Sequence, residues 1–231
     1  MLSFVVPAYN EEKYLAATLA SIHEAARAVG EPYEIVVAND NSNDSTAQVA
    51  EAGGARVLTV HKRQIAGTRN AGAAAAQGEW LVFVDADTRI DANVVRGAVQ
   101  ALRGGAVAGG AAVRFEGGPP WVHWLTPIFV FVFRHVKWAA GCFVFARRDV
   151  FEKVGGFDER YYASEEIHLS RALKRHGRFV MVDAPVLSSA RKAETHSPWR
   201  VLKLLVRILV RGDKGLRSRE LTSDFWYPDK R

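Results

Sequence analysis

Two aspartates, Asp85 and Asp87, close the apolar stretch "WLVFVDADTRI" at residues 80–90. Like charges one residue apart repel, so the pair calls for a cation beside it. In an extended segment side chains alternate, which predicts that both carboxylates point to the same side. So placed, they can hold Mg²⁺ or Mn²⁺, and the metal can neutralise a substrate diphosphate. The alternative is a solvated turn with helix-capping aspartates. An aspartyl phosphotransferase would usually carry its Asp-x-Asp on the first strand, whereas this strand is internal. A nuclease would need further spaced acids and a clear phosphate-binding surface.

Other clusters share this chemistry. In "VVANDNSNDST", Asp40 follows an apolar strand and is suited to accept from a pyrimidine or guanine N–H, although the loop's residues also make ordinary turns and caps. In "HKRQIAGTRNAG", Lys62 or Arg69 could meet a nucleotide phosphate, with Gly67 allowing close approach and Asn70 orienting a sugar hydroxyl. An arginine there could equally be solvated or salt-bridged. The segment is neither the G-x-G-x-x-G fingerprint nor a phosphate loop, so hydride transfer and ATP hydrolysis have little support. In "YYASEEIHLSRAL", Ser164 is a plausible N-cap that places Glu165 and Glu166 in a first helical turn. They could serve as a general base or simply stabilise the helix. Tyr161 and Tyr162 offer a sugar surface or a core anchor. Further on, Arg191 and Lys192 could draw in a diphosphate, and His196 could be a nitrogen ligand to the metal or a structural histidine.

The elements that must position these groups alternate. "LSFVVPAY", "YEIVVAND", "ARVLTVHK" and "WLVFVDAD" read as strands, separated by an amphipathic stretch from Glu11 to Val29, a short helix in "STAQVAEAG" and a small-residue helix in "AGTRNAGAAAAQG". This implies an α/β fold with a mostly parallel central sheet flanked by helices. Ligands in such sheets bind beyond the strands' carboxyl ends, where all four polar clusters fall. After residue 91 the pattern continues as helix, glycine-interrupted strand, aromatic run, strand, short helix, helix and strand, with no internal repeat.

The 231 residues suffice for one large domain, and one cysteine, Cys142 in "AAGCFVFA", reads as a reduced core residue. The N-terminus has no secretory pattern and "WVHWLTPIFVFVF" is short for a membrane span, so the expected setting is cytoplasmic. Residues 1–171 carry 17 basic and 19 acidic groups, while 172–231 carry 14 and 6, so the net charge of +6 belongs to the tail.

In order and spacing, "VVPAYNEEKYLAATLASI", "VVANDNSNDST", "GTRNAGAAAAQGEWLVFVDADT", "GCFVFARRDVFEKVGGFDERYY" and "SEEIHLSRALKRHGR" resemble the family 2 glycosyltransferases of GT-A fold, over roughly residues 2–180. The resemblance implies inverting sugar transfer from a UDP-sugar or GDP-sugar, usually with a divalent metal. It places Pro7, Tyr9 and Glu11 around the nucleotide, Asp40 on its base, Asp85 and Asp87 as the Asp-x-Asp pair, Glu166 as the base and Glu165 in support. Two positions depart from the usual pattern: Asn39 precedes Asp40 where consecutive aspartates are common, and Glu166 stands where an aspartate is usual.

The expected organisation is a GT-A domain over 1–197, with a donor half at 1–91 and an acceptor and catalytic half at 92–197, followed by a basic amphipathic helix and tail at 198–231. The aromatic run at 119–138 could meet a lipid-linked acceptor or form a buried core. In "WRVLKLLVRILVRG", Arg200, Lys203, Arg207 and Arg211 form a basic stripe that could rest on an anionic membrane at the inner face of the plasma membrane, pack on the enzyme or form a dimer interface. Net charge alone favours nucleic acid, but no recognition motif does, and no nucleic-acid partner is expected. The remaining alternatives are a nucleotidyltransferase that makes nucleotide sugars and a noncatalytic sugar-nucleotide-binding protein.

Overall fold

A computed structural model describes residues 1–191; the expected basic helix and tail, together with Lys192 and His196, lie outside the described residues. The first half alternates as β1 (Leu2–Ala8), α1 (Leu15–Val29), β2 (Tyr33–Asn39), α2 (Thr46–Ala52), β3 (Arg56–Thr59), α3 (Ile65–Ala75) and β4 (Trp80–Val84). Its strands pair in parallel in the order β3-β2-β1-β4. The second half adds β5 (Thr88–Arg89), α4 (Ala92–Arg103), β6 (Ala108–Glu116), α5 (Pro120–Val136), β7 (Phe143–Arg147), α6 (Arg148–Lys153), α7 (Glu165–Lys174) and β8 (Phe179–Ser189). The sheet continues as β7-β6-β8-β5, antiparallel at β7 and β5 and parallel between β6 and β8. The mostly parallel α/β sheet expected from the alternation is present.

Every residue of β1 is buried, as a strand covered on both faces requires. Alternation divides its side chains. Phe4 and Val6 join Leu15, Leu19 and Ile22 of α1 and Val94, Val95 and Ala98 of α4 in one core layer. Val5 faces the other way, towards Ala66 and Ala73 of α3, Phe151 of α6 and Leu169 of α7. The small residues of α3 follow from this packing, since a Cβ on Gly72 would lie 2.5 Å from Val5 Cγ1.

The helix expected from Glu11 begins instead at Leu15. The intervening amides are taken by the β2–α2 loop and the first residue of α2: Glu11 N donates to Thr46 Oγ1 at 2.7 Å and Glu12 N to Asp44 Oδ2 at 3.2 Å. Asn10 N donates to Ser42 Oγ, and Asn43 N returns a bond to Asn10 Oδ1. Much of the polarity in "NDNSNDST" therefore stitches two neighbouring loops together.

The topology gathers one edge. The carboxyl ends of β1, β2, β4, β6 and β8 share it, and the antiparallel register Val84↔Phe143 brings the residues just before β7 to the same place. The inner strand β6 is packed tightly enough that a Cβ on Gly109 would meet the Val180 carbonyl oxygen at 2.1 Å and Phe145 Cζ at 2.2 Å. Gly109→Ala is expected to cost about 3 kcal/mol by overpacking, because backbone cannot yield as a side chain does. Urea unfolding monitored by circular dichroism measures the loss.

Candidate active site

The turn after β4 carries the two aspartates. Correcting the extended reading, β4 ends at Val84, and Thr88 N donates to the Asp85 carbonyl at 3.0 Å, closing a tight turn over residues 85–88. Strand alternation is therefore not what orients the pair. The turn nevertheless brings both carboxylates onto one cavity of about 350 Å³ at the shared strand edge.

Arg69, on α3, is the centre of the site. It is 1% exposed, with its guanidinium 5.1 Å from the centroid of the Phe157 ring. Its Nη1 donates to Glu165 Oε1 at 2.6 Å, and its Nη2 to Asp85 Oδ1 at 2.7 Å and to the Gly141 carbonyl at 2.9 Å. Burial alone would lower its pKa; the charges of Asp85 and Glu165 more than reverse that and hold the guanidinium fully charged. Of the two readings given for Arg69, phosphate contact or salt bridge, the side chain makes the salt bridges, its terminal nitrogens ordering two carboxylates at the cavity. Its Nε is buried without a hydrogen-bond partner, a cost set against these ion pairs.

A second arginine serves the other aspartate. Arg191 Nε donates to Asp87 Oδ2 at 3.2 Å, its Nη2 pairs with Glu11 Oε1, and its guanidinium lies 4.6 Å from the Tyr14 ring centroid. The repulsion posed by "DAD" is answered within the chain, each carboxylate having its own guanidinium.

Glu165 and Glu166 open α7, as the sequence predicts, but Ser164 makes no side-chain cap bond and takes a left-handed φ of 61°. A serine there is strained, and the strain lies beside the acidic pair. Glu165 is buried against Arg69. Glu166 is half-buried and lines the cavity. Burial, then the charge of Glu165, pushes its carboxyl up to about 8, with Arg69 pulling the other way.

Arg69, Asp85, Asp87, Glu165 and Glu166 therefore share one cavity. Pro7, Glu11, Asp40 and Lys62 are not among its lining residues, and Glu11 pairs with Arg191, which in turn bonds Asp87. Tyr9 follows the end of β1, half-buried. Asp40 is 2% exposed; it accepts from Lys62 N at 2.7 Å, Arg63 N at 3.0 Å and Thr68 Oγ1 at 3.1 Å, which pins the loop before α3. The Lys62 side chain is exposed. Tyr161 is buried and stacked on His168 at 3.7 Å, a core anchor rather than a sugar platform.

The cavity's other side joins part of the aromatic run at 119–138 to strand residues that sequence reasoning missed, Val113 and Phe115. Val113 and Phe115 of β6 and Trp121, Val122 and Leu125 of α5 form an apolar wall. Strand and helix spacing carried that signal, two apart on β6 and one and four apart on α5. Cys142, read as core, lines the cavity as well, and burial pushes its thiol pKa far up, leaving it a poor nucleophile.

The donor set suits a divalent cation completed by a substrate. Among the described residues no three acidic, histidine or cysteine side chains cluster as a protein-only cage. Mg²⁺ and Mn²⁺ instead favour one or two carboxylates plus phosphate oxygens and water, which Asp85 and Asp87 can begin. The acidic lining of the cavity, Asp85, Asp87, Glu165 and Glu166, favours a cation there.

An undecaprenyl-phosphate 4-deoxy-4-formamido-L-arabinose transferase of Shewanella sediminis is 33% identical over 93 residues, covering 37% of this chain and 28% of that longer protein. The fold superposes on the mannosyltransferase PcManGT of Pyrobaculum calidifontis, solved with GDP-Man and Mn²⁺, with a TM-score of 0.67 at 21% identity over 97% of this chain and 67% of the other. S. aureus TarS in complex with UDP-GlcNAc superposes with a TM-score of 0.65 at 17% identity, covering 97% of this chain and 71% of that one. At these identities the two structures speak for a shared GT-A-like fold. Residues 3–155 match the model of glycosyl transferase family 2, so the chain belongs to that family.

Proposed function

We propose that this chain transfers a sugar from a nucleoside diphosphate sugar, UDP- or GDP-linked, to an acceptor hydroxyl by direct displacement with inversion. The observation that carries the reading is Glu166, a carboxyl of raised pKa, on the same cavity as the Asp85–Asp87 turn. Glu166 takes the acceptor's proton as that oxygen bonds to the anomeric carbon, and the bond from that carbon to the diphosphate breaks with its electron pair leaving on the nucleotide. One displacement inverts the centre. Asp85 and Asp87, with His196 as a further candidate ligand, would hold Mg²⁺ or Mn²⁺, which would supply the positive charge that the leaving diphosphate needs.

Arg69 keeps Asp85 and Glu165 in place and is a positioning residue. Arg191 lies within reach of a diphosphate seated at Asp87. Pro7, near the end of β1, and Tyr9, Glu11, Asp40 and Lys62, in the loops that follow the strands, would flank the nucleotide. The apolar wall of β6 and α5 favours an acceptor with an apolar portion, in keeping with the undecaprenyl-phosphate relative, over a free saccharide. A lipid-linked acceptor would set the enzyme to work at the inner face of a membrane.

The direct test incubates the protein with UDP- and GDP-sugars, Mg²⁺ or Mn²⁺, and polyprenyl and saccharide acceptors. Release of nucleoside diphosphate with a product of inverted anomeric configuration is expected. Pyrophosphate formed from a nucleoside triphosphate and a sugar phosphate would identify a nucleotidyltransferase instead, and donor binding without turnover on any acceptor would identify a binding protein.

The base must be ionised to act, so kcat/KM is expected to rise with pH and level off above about 8, the value to which Glu166 is pushed. Glu166→Gln should lose about 100-fold or more in kcat and lose that pH limb. Stability carries the same signature with a defined sign. A carboxyl whose pKa rises from 4.5 to about 8 on folding is bound more tightly to its proton in the folded state, so its contribution is full below the lower value and lost as pH climbs through the upper one. Thermal melts of Glu166→Gln should therefore fall less steeply than wild type across that window.

Arg69→Met would leave Asp85 and Glu165 without their shared cation. A loss of about 3–5 kcal/mol in unfolding free energy is expected from breaking a buried ion pair on one side. Chemical denaturation reads this directly, and a variant as stable as wild type would remove Arg69 from its central place.

A further inference from the structure

Helix α5 buries one side and leaves another bare. Val122 is buried, whereas Trp124 is 82% and Phe131 63% exposed, with Leu125 and Val136 exposed as well. Trp124 and Phe131, seven residues apart, fall on one stripe two turns long. The Phe131 ring lies against that of His135, tilted by 39° with the centroids 3.9 Å apart. Leu125 also lines the cavity, so the bare stripe and the cavity's apolar wall form one continuous surface.

This stripe runs out into cations. Lys137 follows the helix directly, Lys174 of α7 donates to the Val136 carbonyl, and the Arg171 guanidinium lies 5.0 Å from the Trp138 ring centroid. Burial, then Lys137 and Arg171, lower the Lys174 pKa, as expected where positive charges gather. Arg134 differs, being paired with Asp183.

We propose that the Trp124–Phe131 face of α5 lies in the interface of an anionic lipid bilayer, with Lys137, Arg171 and Lys174 on the headgroups. The 17-residue helix would lie in the membrane plane, since among the described residues no helix is long and apolar enough to cross a membrane. Exposed rings beside a cluster of one sign match a bilayer with anionic headgroups. A second copy of the chain matches poorly, because a twofold interface on this face would bring like cations together or bury them against rings without a counter-charge. This seating uses residues separate from the basic stripe at 200–211. It also places the mouth of the cavity at the depth where an acceptor's apolar chain would be held.

The test uses the full chain and vesicles of phosphatidylcholine with or without phosphatidylglycerol, without donor. Wild type is expected to sediment with the anionic vesicles in low salt and to release in high salt. The double variant Trp124→Ser/Phe131→Ser should weaken that binding about tenfold or more, and Lys137→Glu should weaken it selectively on anionic vesicles. Both variants should keep the wild-type melting temperature, since the altered side chains are exposed. Failure of wild type to bind would overturn the proposal, as would a double variant that binds like wild type, which would move any seating to another segment. Sedimentation equilibrium in which the double variant dissociates a dimer while vesicle binding is unchanged would assign the face to a second copy and overturn it too. Donor hydrolysis in vesicle-free buffer is read separately, so loss of this seating and loss of the transfer reaction are distinguishable.

Discussion

One buried guanidinium holds the site together. Arg69 reaches Asp85, 16 residues on, and Glu165, 96 residues on, so it ties the turn after β4 to the start of α7. Without it, two carboxylates would face each other in a setting of low polarity, where repulsion is poorly screened. Everything around it serves that placement. The small residues of α3 let the helix sit close on β1, Phe157 covers the guanidinium, and the antiparallel β7 delivers the Gly141 carbonyl to its Nη2.

The fold was the most legible part of the chain because its signals are local and repeated. Apolar runs of strand length, helical spacing between them and turn residues at the joints yield an alternating sheet whatever the side chains at its edge do. Boundaries failed where a remote partner intervened. Glu11 and Glu12 look helical by themselves, yet their amides bond to Thr46 at the start of α2 and to Asp44 just before it, and α1 starts four residues after Glu11. The same remote pairing gives "NDNSNDST" its polar character.

At the site, residue types were legible and their partners were not. Asp85, Asp87, Glu165 and Glu166 stand out as acids at element ends, and the cavity collects all four. Arg69 and Arg191 stood out as cations, but nothing local says that each would close on carboxylates of its own chain. Arg69 becomes an internal tie because α3 is pressed against the sheet, which leaves the side chain nowhere to go but towards the strand edge. Cys142 escaped for the opposite reason: its apolar neighbours hide that the chain has just turned into β7 at the mouth of a polar cleft.

The acidic pair shows how small a difference in direction separates structure from chemistry. Glu165 and Glu166 are adjacent in one helical turn and feel the same helix dipole, so local sequence makes them equivalent. Arg69 breaks the equivalence by bonding Glu165 at 2.6 Å. That bond fixes a negative charge next to Glu166, which has burial against it and only a more distant share of the guanidinium, and its carboxyl rises as a result. Had the arginine met Glu166 instead, the carboxylate facing the cavity would be held ionised and weakly basic. Burial raises the Glu166 carboxyl most, and the pairing of Arg69 with its neighbour adds to that by keeping a charge beside it, so under the proposed function the stability of the tie is linked to the strength of the base.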